Sequence, residues 1–393
     1  MKKTILMTTL ILTAALTACG KQTDKNDGKS ATKAVGEEVT TEEATTPAPV
    51  VLNGIEYAFD VMDIDLSNQI IDFDELMAAL GGLSDVQTVE LYGCGYSMDE
   101  LATLRSAYPD IDFGCMVNLN GMEFDSRSTE VDISGVAVSD ADALSGSISV
   151  FSDSLTKIIM VDCGLTDEQM GALQDAHPDV KLAWNINLGG YWTIRTDAVA
   201  FSTLKDGTIN YRLTNEDCQV LKYCTNMVAL DLGHNYVTDI SFLQYMPDLK
   251  ILILVDDRNL QPDGTWNEEA NGYITDLSYL AYCPKLMYLE FFVGSVSDIS
   301  VLANLKNLVD LNISYNPISD ITPLLNLPKL ERLFLEHTNV TEEDYNLLCE
   351  TYPDAQVVFY GEGSVDQGWR EHDRYYAMID MYHNNYVNEL FED

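Results

Sequence analysis

Apolar residues recur at a fixed interval in the second half of this chain. The pattern is apolar-x-apolar-x-x, followed by Asn, Asp or a small residue, and it starts at Leu230, Leu252, Leu289, Leu311 and Leu333. Successive starts are 22, 37, 22 and 22 residues apart, so the longer step equals one repeat plus a 15-residue insertion. A unit this short cannot close a core alone, and neighbouring units must stack to bury their apolar faces. The pattern therefore predicts an elongated solenoid with a broad face, which suits binding better than enclosing a reaction.

The first half repeats with a longer period. The segment Leu52–Tyr57 recurs as Leu119–Phe124 and, more loosely, at Leu188–Trp192. Each copy belongs to a compound unit of about three short repeats that contains strands and one or more acidic helices. We therefore divide the folded chain into degenerate repeats at 51–205 and regular 22-residue repeats at 206–360.

Three acidic segments of the chain are predicted to be helices with a hydroxyl cap. Ser97, Thr166 and Thr341 each precede acidic residues of a first helical turn, where a hydroxyl oxygen can accept backbone N–H bonds. Each segment ends at an aromatic residue followed by proline and aspartate, and a proline there stops the helix.

Two hairpins and one long loop interrupt the predicted repeats. Asn120-Gly121 and Gly189-Gly190 separate alternating apolar stretches, which indicates β-hairpins with primed turns that project from the solenoid. The insertion at 256–272 is rich in Asn, Asp, Gly and Glu and contains a single Trp266, so it is predicted to be a surface loop.

The regular pattern stops at Gly361. Apolar and aromatic residues then follow at helical spacing, at Trp369, Tyr376, Ile379, His383, Tyr386 and Leu390. Because a solenoid needs its last apolar face covered, residues 361–393 are predicted to form a C-terminal capping helix. A separate helix that binds a partner is the alternative.

The regular repeats carry a wider signature, which includes Asp239, Asp276, Asp298 and Asp320, each followed by Ile or Leu. This signature resembles the internalin-type leucine-rich repeats of surface proteins from Gram-positive bacteria, strongly over 213–358 and in degenerate form over 64–201. The resemblance implies an α/β solenoid with a parallel concave sheet and short turns or 3₁₀ segments on the convex side. It also implies protein or glycan binding as the commonest role.

The N-terminus carries a targeting signal. Residues 1–18 combine Lys2 and Lys3 with a mostly apolar stretch, as in a secretory signal peptide. The sequence Leu-Thr-Ala-Cys that ends at Cys19 resembles the lipobox of bacterial lipoproteins, in which the cysteine is acylated. Residues 19–50 are rich in Thr, Ala, Lys and Glu and are predicted to be a disordered tether. We therefore expect a lipid-anchored protein at the extracytoplasmic face of the cell membrane.

The formal net charge is -41. A surface this acidic repels nucleic acid and anionic lipid, so we expect no nucleic-acid partner and no membrane contact other than the N-terminal lipid. Cysteines number eight. Their spacings do not indicate a disulfide framework. Cys94 and Cys163 occupy the sixth position of the repeat pattern and are predicted to be buried thiols. Cys218 and Cys224 could pair with each other, but we expect free thiols.

The sequence favours a non-enzymatic role without cofactor or metal. The five histidines form neither an HExxH motif nor zinc-ligand spacing, and no nucleophile elbow or phosphate-binding glycine loop occurs. The recurring Asp239, Asp276, Asp298 and Asp320 are predicted to bind turn backbone instead of calcium. An unfamiliar hydrolase is a minor alternative.

The predicted binding site follows from strand alternation. In each strand the leucines point into the core and their neighbours point to the concave face. This places a strip of mostly apolar residues on adjoining strands, namely Ile251, Ile253, Val255, Tyr288, Glu290, Phe292, Arg332 and Phe334. An exposed apolar strip with acids around it is a candidate site for a protein or glycan ligand. Two alternatives are that the insertion or the cap covers the strip, and that the protein is an envelope scaffold that binds neighbours through its C-terminal helix.

Overall fold

The largest sheet has seven parallel strands that lie side by side in chain order. The computed structural model describes residues 48–204, 211–257 and 273–392. The predicted signal peptide at 1–18, Cys19, almost all of the tether and most of the insertion at 256–272 lie outside the described residues.

The N-terminal part consists of short strands that alternate with helices. Its strands are β1 (Val50–Leu52), β2 (Ile55–Tyr57), β3 (Asp63–Asp65), β4 (Thr88–Glu90), β5 (Asp112–Gly114), β6 (Met116–Leu119), β7 (Met122–Asp125), β8 (Glu130–Asp132), β9 (Lys157–Ile159), β10 (Lys181–Ala183), β11 (Asn185–Leu188) and β12 (Trp192–Arg195). Its helices are α1 (Phe73–Leu80), α2 (Met98–Ala107), α3 (Ala141–Ile148) and α4 (Asp167–Ala176). Strands β3–β5 and β8–β10 form two three-stranded parallel sheets, and β1–β2, β6–β7 and β11–β12 form antiparallel hairpins. The compound unit therefore occurs twice.

The predicted helix caps are confirmed. Ser97 and Thr166 each accept a bond from the backbone N–H three residues later, and the side chain of that residue accepts one from the cap's own N–H. Thr341 does the same before the helix at Glu342–Thr351. These reciprocal bonds satisfy two N–H groups that would otherwise lack partners at each helix start.

The two predicted hairpins are present, but they do not project freely. Asn120 and Gly121 have φ values of 52° and 95°, and Gly189 and Gly190 have 59° and 74°, as a primed turn requires. On the strand before the first turn, however, Val117 and Leu119 are fully buried and belong to the main core. One face of each hairpin is therefore part of the solenoid's core, because strand alternation gives it an apolar side that must be covered.

The regular part forms the seven-stranded sheet. Its strands are β13 (Ala200–Ser202), β14 (Ala229–Asp231), β15 (Ile251–Ile253), β16 (Tyr288–Glu290), β17 (Asp310–Asn312), β18 (Arg332–Phe334) and β19 (Gln356–Val358), with helix α5 (Glu342–Thr351) before the last strand. Leucines of successive repeats are register partners, as in Leu230 with Leu252 and Leu252 with Leu289. The 37-residue step therefore connects two strands that are adjacent in the sheet, as each 22-residue step does. The predicted leucine-rich-repeat solenoid is confirmed.

Turn chemistry repeats with the strands. The side-chain amide of Asn316 donates to the carbonyls of Phe291, Ile313 and Ser314 at 2.8–3.2 Å, and it is 2% exposed. On the convex side the four 3₁₀ segments Ser241–Tyr245, Ser278–Tyr282, Ser300–Asn304 and Thr322–Leu324 each follow one of the recurring aspartates. Asp239, Asp276, Asp298 and Asp320 each accept a backbone N–H from the residue two positions later, at 2.8–2.9 Å. Their predicted role in binding turn backbone is confirmed.

The cysteines behave as predicted. Cys94 and Cys163 are buried, and their thiols donate to the carbonyls of Leu66 and Ile133. Cys218 and Cys224 are free, and burial raises the pKa of the Cys224 thiol to about 12. A thiol with such a pKa stays protonated and behaves as a small apolar side chain.

The C-terminal segment, residues 361–392, lies across the seven-stranded sheet. It contains Trp369, helix α6 (Asp373–Asn384) and a 3₁₀ turn at Glu389–Phe391. Helix α6 packs against β13 and β14, on the sheet face opposite to the leucine core. The capping prediction placed this segment over the end of the array. The segment instead lies on the face of the sheet. We call the sheet face opposite to the leucine core the inner wall.

The face of α6 that packs on the sheet also differs from the prediction. The buried residues of the helix are Ala377, Met378, Met381 and Tyr382, whereas Tyr376 is 59% exposed. Tyr376, His383, Tyr386 and Leu390 follow helical spacing but face solvent. The error arose because this helix carries two apolar stripes, and periodicity alone does not say which one packs.

Candidate functional site

The predicted strip lies on the inner wall, but it is not exposed. Seven of its eight residues are at most 7% exposed, and Phe292 is half-buried. Its apolar members form a second hydrophobic cluster with Trp369, Met378, Met381, Tyr382 and Phe391 of the C-terminal segment. The expectation that the strip is free to meet a ligand is therefore wrong, and the alternative in which the C-terminal part covers it is the one observed. Alternation showed which way these residues point, but it did not show what packs on them.

Trp369 is the centre of this contact. Its side chain is fully buried, with ring centroids 5.1 Å from Tyr288 and 4.8 Å from Phe334. The guanidinium carbon of Arg332 lies 4.6 Å from the indole ring centroid, which is a cation–π contact. The indole Nε1 donates to Glu290 at 2.9 Å, and the Trp369 carbonyl accepts from Arg332 at 3.1 Å. Four residues of the predicted strip thus hold a single tryptophan.

A buried ion-pair network joins α6 to the sheet. Asp310 is fully buried on β17 and accepts bonds from the Nε of Arg332 at 2.7 Å and the Nε of Arg374 at 2.6 Å. Burial by itself would raise the pKa of Asp310, but the bonds from Arg374 and Arg332 outweigh it and lower this pKa below its ordinary value. The carboxylate is therefore ionised, and its charge is compensated by two guanidinium groups.

Polar bonds also fix the C-terminal end of the segment. Asn385 has a left-handed backbone, with φ at 51°, and its side-chain oxygen accepts from the N–H groups of Val199 and Ala200 at 2.9 and 3.2 Å. These N–H groups are at the start of the edge strand β13. At the last turn, the Lys250 ammonium donates to the Phe391 carbonyl at 2.7 Å. The segment is therefore attached along its length and belongs to the folded unit.

The inner wall of the N-terminal sheets is open instead. Its outward side chains on β3–β5 and β8–β9 are exposed or half-buried, namely Asp63, Asp65, Thr88, Glu90, Asp112, Glu130, Asp132 and Lys157. We call this surface the N-terminal wall. Hydrogen bonds from Ser67 and Ser134 lower the pKa values of Asp65 and Asp132, so both carboxylates are ionised at neutral pH.

Some charges of the N-terminal wall pair with each other. Arg127 bridges Glu90 at 2.9 Å and Asp112 at 2.6 Å, and Lys157 lies 2.8 Å from Glu130. A Cβ at position 114 would collide with the Glu90 carboxylate, so Gly114 provides the room for the Arg127 bridge. Among the described residues, Asp63, Asp65 and Asp132 have no basic partner within ion-pair distance. The surface therefore presents an excess of negative charge.

The sequence prediction missed the N-terminal wall because the repeat that contains its strands is degenerate. The signal was present in the alternation of acid, apolar residue and acid at Asp63–Asp65 and Glu130–Asp132. Within the part of the chain that the structure describes, no group of three or more His, Cys, Asp or Glu side chains has metal-binding geometry. No helix in the same ranges is long and apolar enough to cross a bilayer.

No protein-family model matches the chain, and no curated protein matches it either. Among solved structures, an internalin (inlF) from Listeria monocytogenes is 18% identical, with 78% of this chain and 69% of that chain covered and a TM-score of 0.30. Internalin C2 from the same organism is 23% identical over 42% of this chain and 80% of its own, with a TM-score of 0.28. A chain of the Toll–Spatzle complex from Drosophila is 14% identical over 77% of this chain and 38% of its own, also with a TM-score of 0.28. We base no functional argument on similarities at this level, and the leucine-rich-repeat fold rests on the register described above.

Proposed function

We propose that this protein is a lipid-anchored, extracytoplasmic leucine-rich-repeat protein of a Gram-positive bacterium that binds a partner protein with a basic surface. One observation carries the choice of site: the N-terminal wall is open and acidic, whereas the inner wall of the seven-stranded sheet is filled by the chain itself. The sequence of residues 1–19 supports the lipid anchor. A hydrolytic activity is not part of this proposal.

Charge complementarity supports a basic partner. Three carboxylates of the N-terminal wall lack a basic partner among the described residues, and the whole chain has a net charge of -41. Such a surface attracts a basic partner over a distance and raises its association rate, an effect that salt weakens. The short strands fix the positions of these side chains, so the charges form a rigid pattern.

Binding through the predicted strip would require the C-terminal segment to leave. Its departure would expose Trp369, Met378, Met381, Tyr382 and Phe391, each at most 4% exposed. Burial of each large side chain contributes about 1.5–3 kcal/mol, so exposing these five side chains to water would cost on the order of 10 kcal/mol. Such a cost would remove most of the affinity of an ordinary protein interface. The strip instead holds the C-terminal segment in place.

The scaffold alternative, in which the C-terminal helix binds neighbouring proteins, is weakened by the same contacts. The apolar face of α6 is already used within the molecule, where Met378 and Met381 are fully buried. Only isolated side chains such as Tyr376 are exposed on its other side.

The test compares two sets of three isosteric changes. Asp63→Asn, Asp65→Asn and Asp132→Asn remove charge from the N-terminal wall but keep a side-chain oxygen that can accept the turn bonds. Asp110→Asn, Asp179→Asn and Asp354→Asn remove the same charge from exposed positions that follow the three helix-ending prolines. Both sets therefore change the net charge equally, and they differ only in where the charge is lost.

Full-length protein in detergent micelles would be immobilised and exposed to envelope extract, and captured proteins identified by mass spectrometry. We expect the wall variant to capture about tenfold less basic protein than the wild type does, because hydrogen bonds to charged groups are worth about 1.5–3 kcal/mol. The control variant should retain them, and 0.5 M salt should release them from the wild type. Equal capture by the wall variant and the wild type would refute the proposal, as would retention of neutral glycans alone.

A further inference from the structure

The C-terminal segment leaves a cavity between itself and the inner wall of the seven-stranded sheet. The cavity measures about 420 Å³ and is lined by side chains on or directly after β14–β16, among them His234, by Leu204 after β13, and by side chains of the segment. This volume falls within the range of about 300–1,000 Å³ that small-molecule sites occupy. The lining residues Arg370, Tyr375 and Ile379 are half-buried, so the cavity is connected to solvent.

Glu290 gives the cavity a buried carboxylate oxygen without a partner. Its Oε2 accepts from Trp369 at 2.9 Å and from the Tyr288 hydroxyl at 3.0 Å. Its Oε1 is buried and has no hydrogen-bond partner among the described residues, although the residue is only 1% exposed. A buried carboxylate oxygen in this state loses its hydration without replacement, which is costly. Asp310, on the next strand, shows how the same protein compensates a buried carboxylate when no cavity is present.

Asp231 supplies a second carboxylate to the cavity. Its oxygens accept from the N–H of Gly233 at 3.0 Å and from the hydroxyl of Ser202 at 2.7 Å, and it is 6% exposed. The sheet register aligns Asp231, Ile253 and Glu290 across three strands. Strands lie about 4.8 Å apart, so the two acidic residues are separated by about 10 Å at the backbone, with Ile253 as an apolar floor between them.

The C-terminal segment contributes a positive group to the same cavity. Arg370 lines it, and its buried Nε has no hydrogen-bond partner among the described residues. No ion pair within 4.0 Å joins Arg370 to Glu290 or Asp231 in the described structure. Val255 and Ile379 provide further apolar lining. The cavity therefore has carboxylates on the sheet side, a guanidinium on the segment side and apolar surface between.

We propose that this cavity binds a free amino acid with an apolar side chain, its ammonium group against the unpartnered Oε1 of Glu290 and its carboxylate against Arg370, with Asp231 adding negative charge on the ammonium side. An ammonium group has three donors, which suits carboxylate oxygens, and a guanidinium pairs well with a carboxylate. The apolar side chain of the ligand packs on Ile253, Val255 and Ile379. This ligand satisfies both orphaned polar groups at once, which neither a simple cation nor a simple anion does. The inference does not depend on the proposed protein partner.

The probes are L-leucine and two compounds that each lack one of its charges: isoamylamine without the carboxylate and 4-methylpentanoic acid without the ammonium. Calorimetric titration of the full-length protein in micelles measures each affinity. We expect L-leucine to bind, and each analogue to bind about tenfold more weakly or worse, because a buried charged group then loses its partner. Absence of L-leucine binding at millimolar concentration would overturn the proposal, as would equal binding of isoamylamine.

Two variants test the assigned residues. Glu290→Gln keeps an acceptor for Trp369 and Tyr288 but replaces the orphaned oxygen by an amide, and Arg370→Gln removes the guanidinium. Both variants should bind L-leucine about tenfold more weakly or worse. Their urea unfolding midpoints should show that they remain folded. Glu371→Gln, at an exposed neighbouring position, is the matched control and should bind as the wild type does. If the first two variants bind L-leucine with unchanged affinity, the site assignment is wrong.

Discussion

The indole Nε1 of Trp369 donates a hydrogen bond of 2.9 Å to the Oε2 of Glu290, 79 residues earlier in the chain. Glu290 lies on β16 near the middle of the seven-stranded sheet, and Trp369 lies outside the repeats. The bond therefore joins the inner wall to the C-terminal segment at the centre of their contact. As a result the sheet has a core on each face, one of periodic leucines and one built around a single tryptophan.

Replacing Trp369 by alanine should strongly destabilise the regular part. The change removes ring contacts with Tyr288 and Phe334 and leaves a cavity in a region that is fully buried. Tryptophan-to-alanine changes in cores cost about 3–5 kcal/mol of unfolding free energy. Urea unfolding followed by circular dichroism measures the loss.

Tyr376→Ala is the matched control for this change. Tyr376 is an aromatic residue of the same segment but is 59% exposed, so its truncation should change stability by less than about 0.5 kcal/mol. Similar losses for both variants would show that the segment is not packed as described.

Asp310→Ala should be costly for a different reason. It leaves Arg332, with a side chain 5% exposed, without the carboxylate that compensates its charge, and it also removes the main partner of Arg374. Breaking a buried pair from one side costs about 3–5 kcal/mol, because a charge stays buried alone. The free energy of unfolding in urea is again the measurement.

The contrasting ion pair is Arg105–Asp153, which has a similar distance of 2.8 Å but an Asp153 side chain that is 98% exposed. Asp153→Ala should cost at most about 1 kcal/mol because solvent screens an exposed pair. An Asp310→Ala variant as stable as Asp153→Ala would contradict the buried network.

Sequence periodicity predicted the leucine side of this molecule well and the other side poorly. Leu230, Leu252 and Leu289 follow a rule that depends only on local spacing, and each is fully buried as expected. Whether Ile251 or Tyr288 is exposed depends on a segment about 100 residues away, which local alternation does not encode. The spacing from Trp369 to Leu390 predicted a helix, but of its six residues only Trp369 and Ile379 pack on the sheet and the other four face solvent.

The ion pairs and the cavity were beyond prediction for the same reason. Asp310, Arg332 and Arg374 are unremarkable charged residues in the sequence, and only the folded sheet brings their side chains together. The sequence pattern identified this surface through the apolar neighbours of Glu290. A role for Glu290 itself follows only from the structure, which places Arg370 on the other side of the cavity.

Asp231→Asn should stabilise the protein at neutral pH. Burial raises the pKa of Asp231 to about 6 from its ordinary value of 3.8, and the charge of Glu290 adds to the effect. The folded state thus holds the proton more tightly than the unfolded state does. Stability from this group is fully present below about pH 4 and is lost as the pH rises through about 6.

A shift of this size corresponds to about 3 kcal/mol, since one pKa unit is worth about 1.4 kcal/mol. Asparagine does not ionise, and it can still accept from Gly233 and bond to Ser202. The difference in unfolding free energy between Asp231→Asn and the wild type should therefore be largest at pH 7.5 and shrink toward pH 4. A difference that does not vary with pH would show that the Asp231 pKa is not raised.

Val293→Asn should stabilise the turn after β16. Each regular repeat places one residue at positive φ two positions after its second core residue, and these are His234, Asp256, Val293, Tyr315 and His337, with φ between 53° and 62°. Val293 is the β-branched member of this set, and a β-branched side chain is strained in the left-handed region. Asparagine adopts that region more readily, so we expect a gain of about 0.5–1 kcal/mol after the loss of some apolar contact.

Val301→Asn provides the matched control for this turn. Val301 is also a half-buried valine, but it lies in the 3₁₀ segment Ser300–Asn304 and is not among the residues with positive φ. The same change there relieves no strain and only places a polar amide on partly buried apolar surface, so it should destabilise by about 1 kcal/mol. The two substitutions should thus shift the urea midpoint in opposite directions. A midpoint lowered by both would mean that the turn after β16 does not strain its valine.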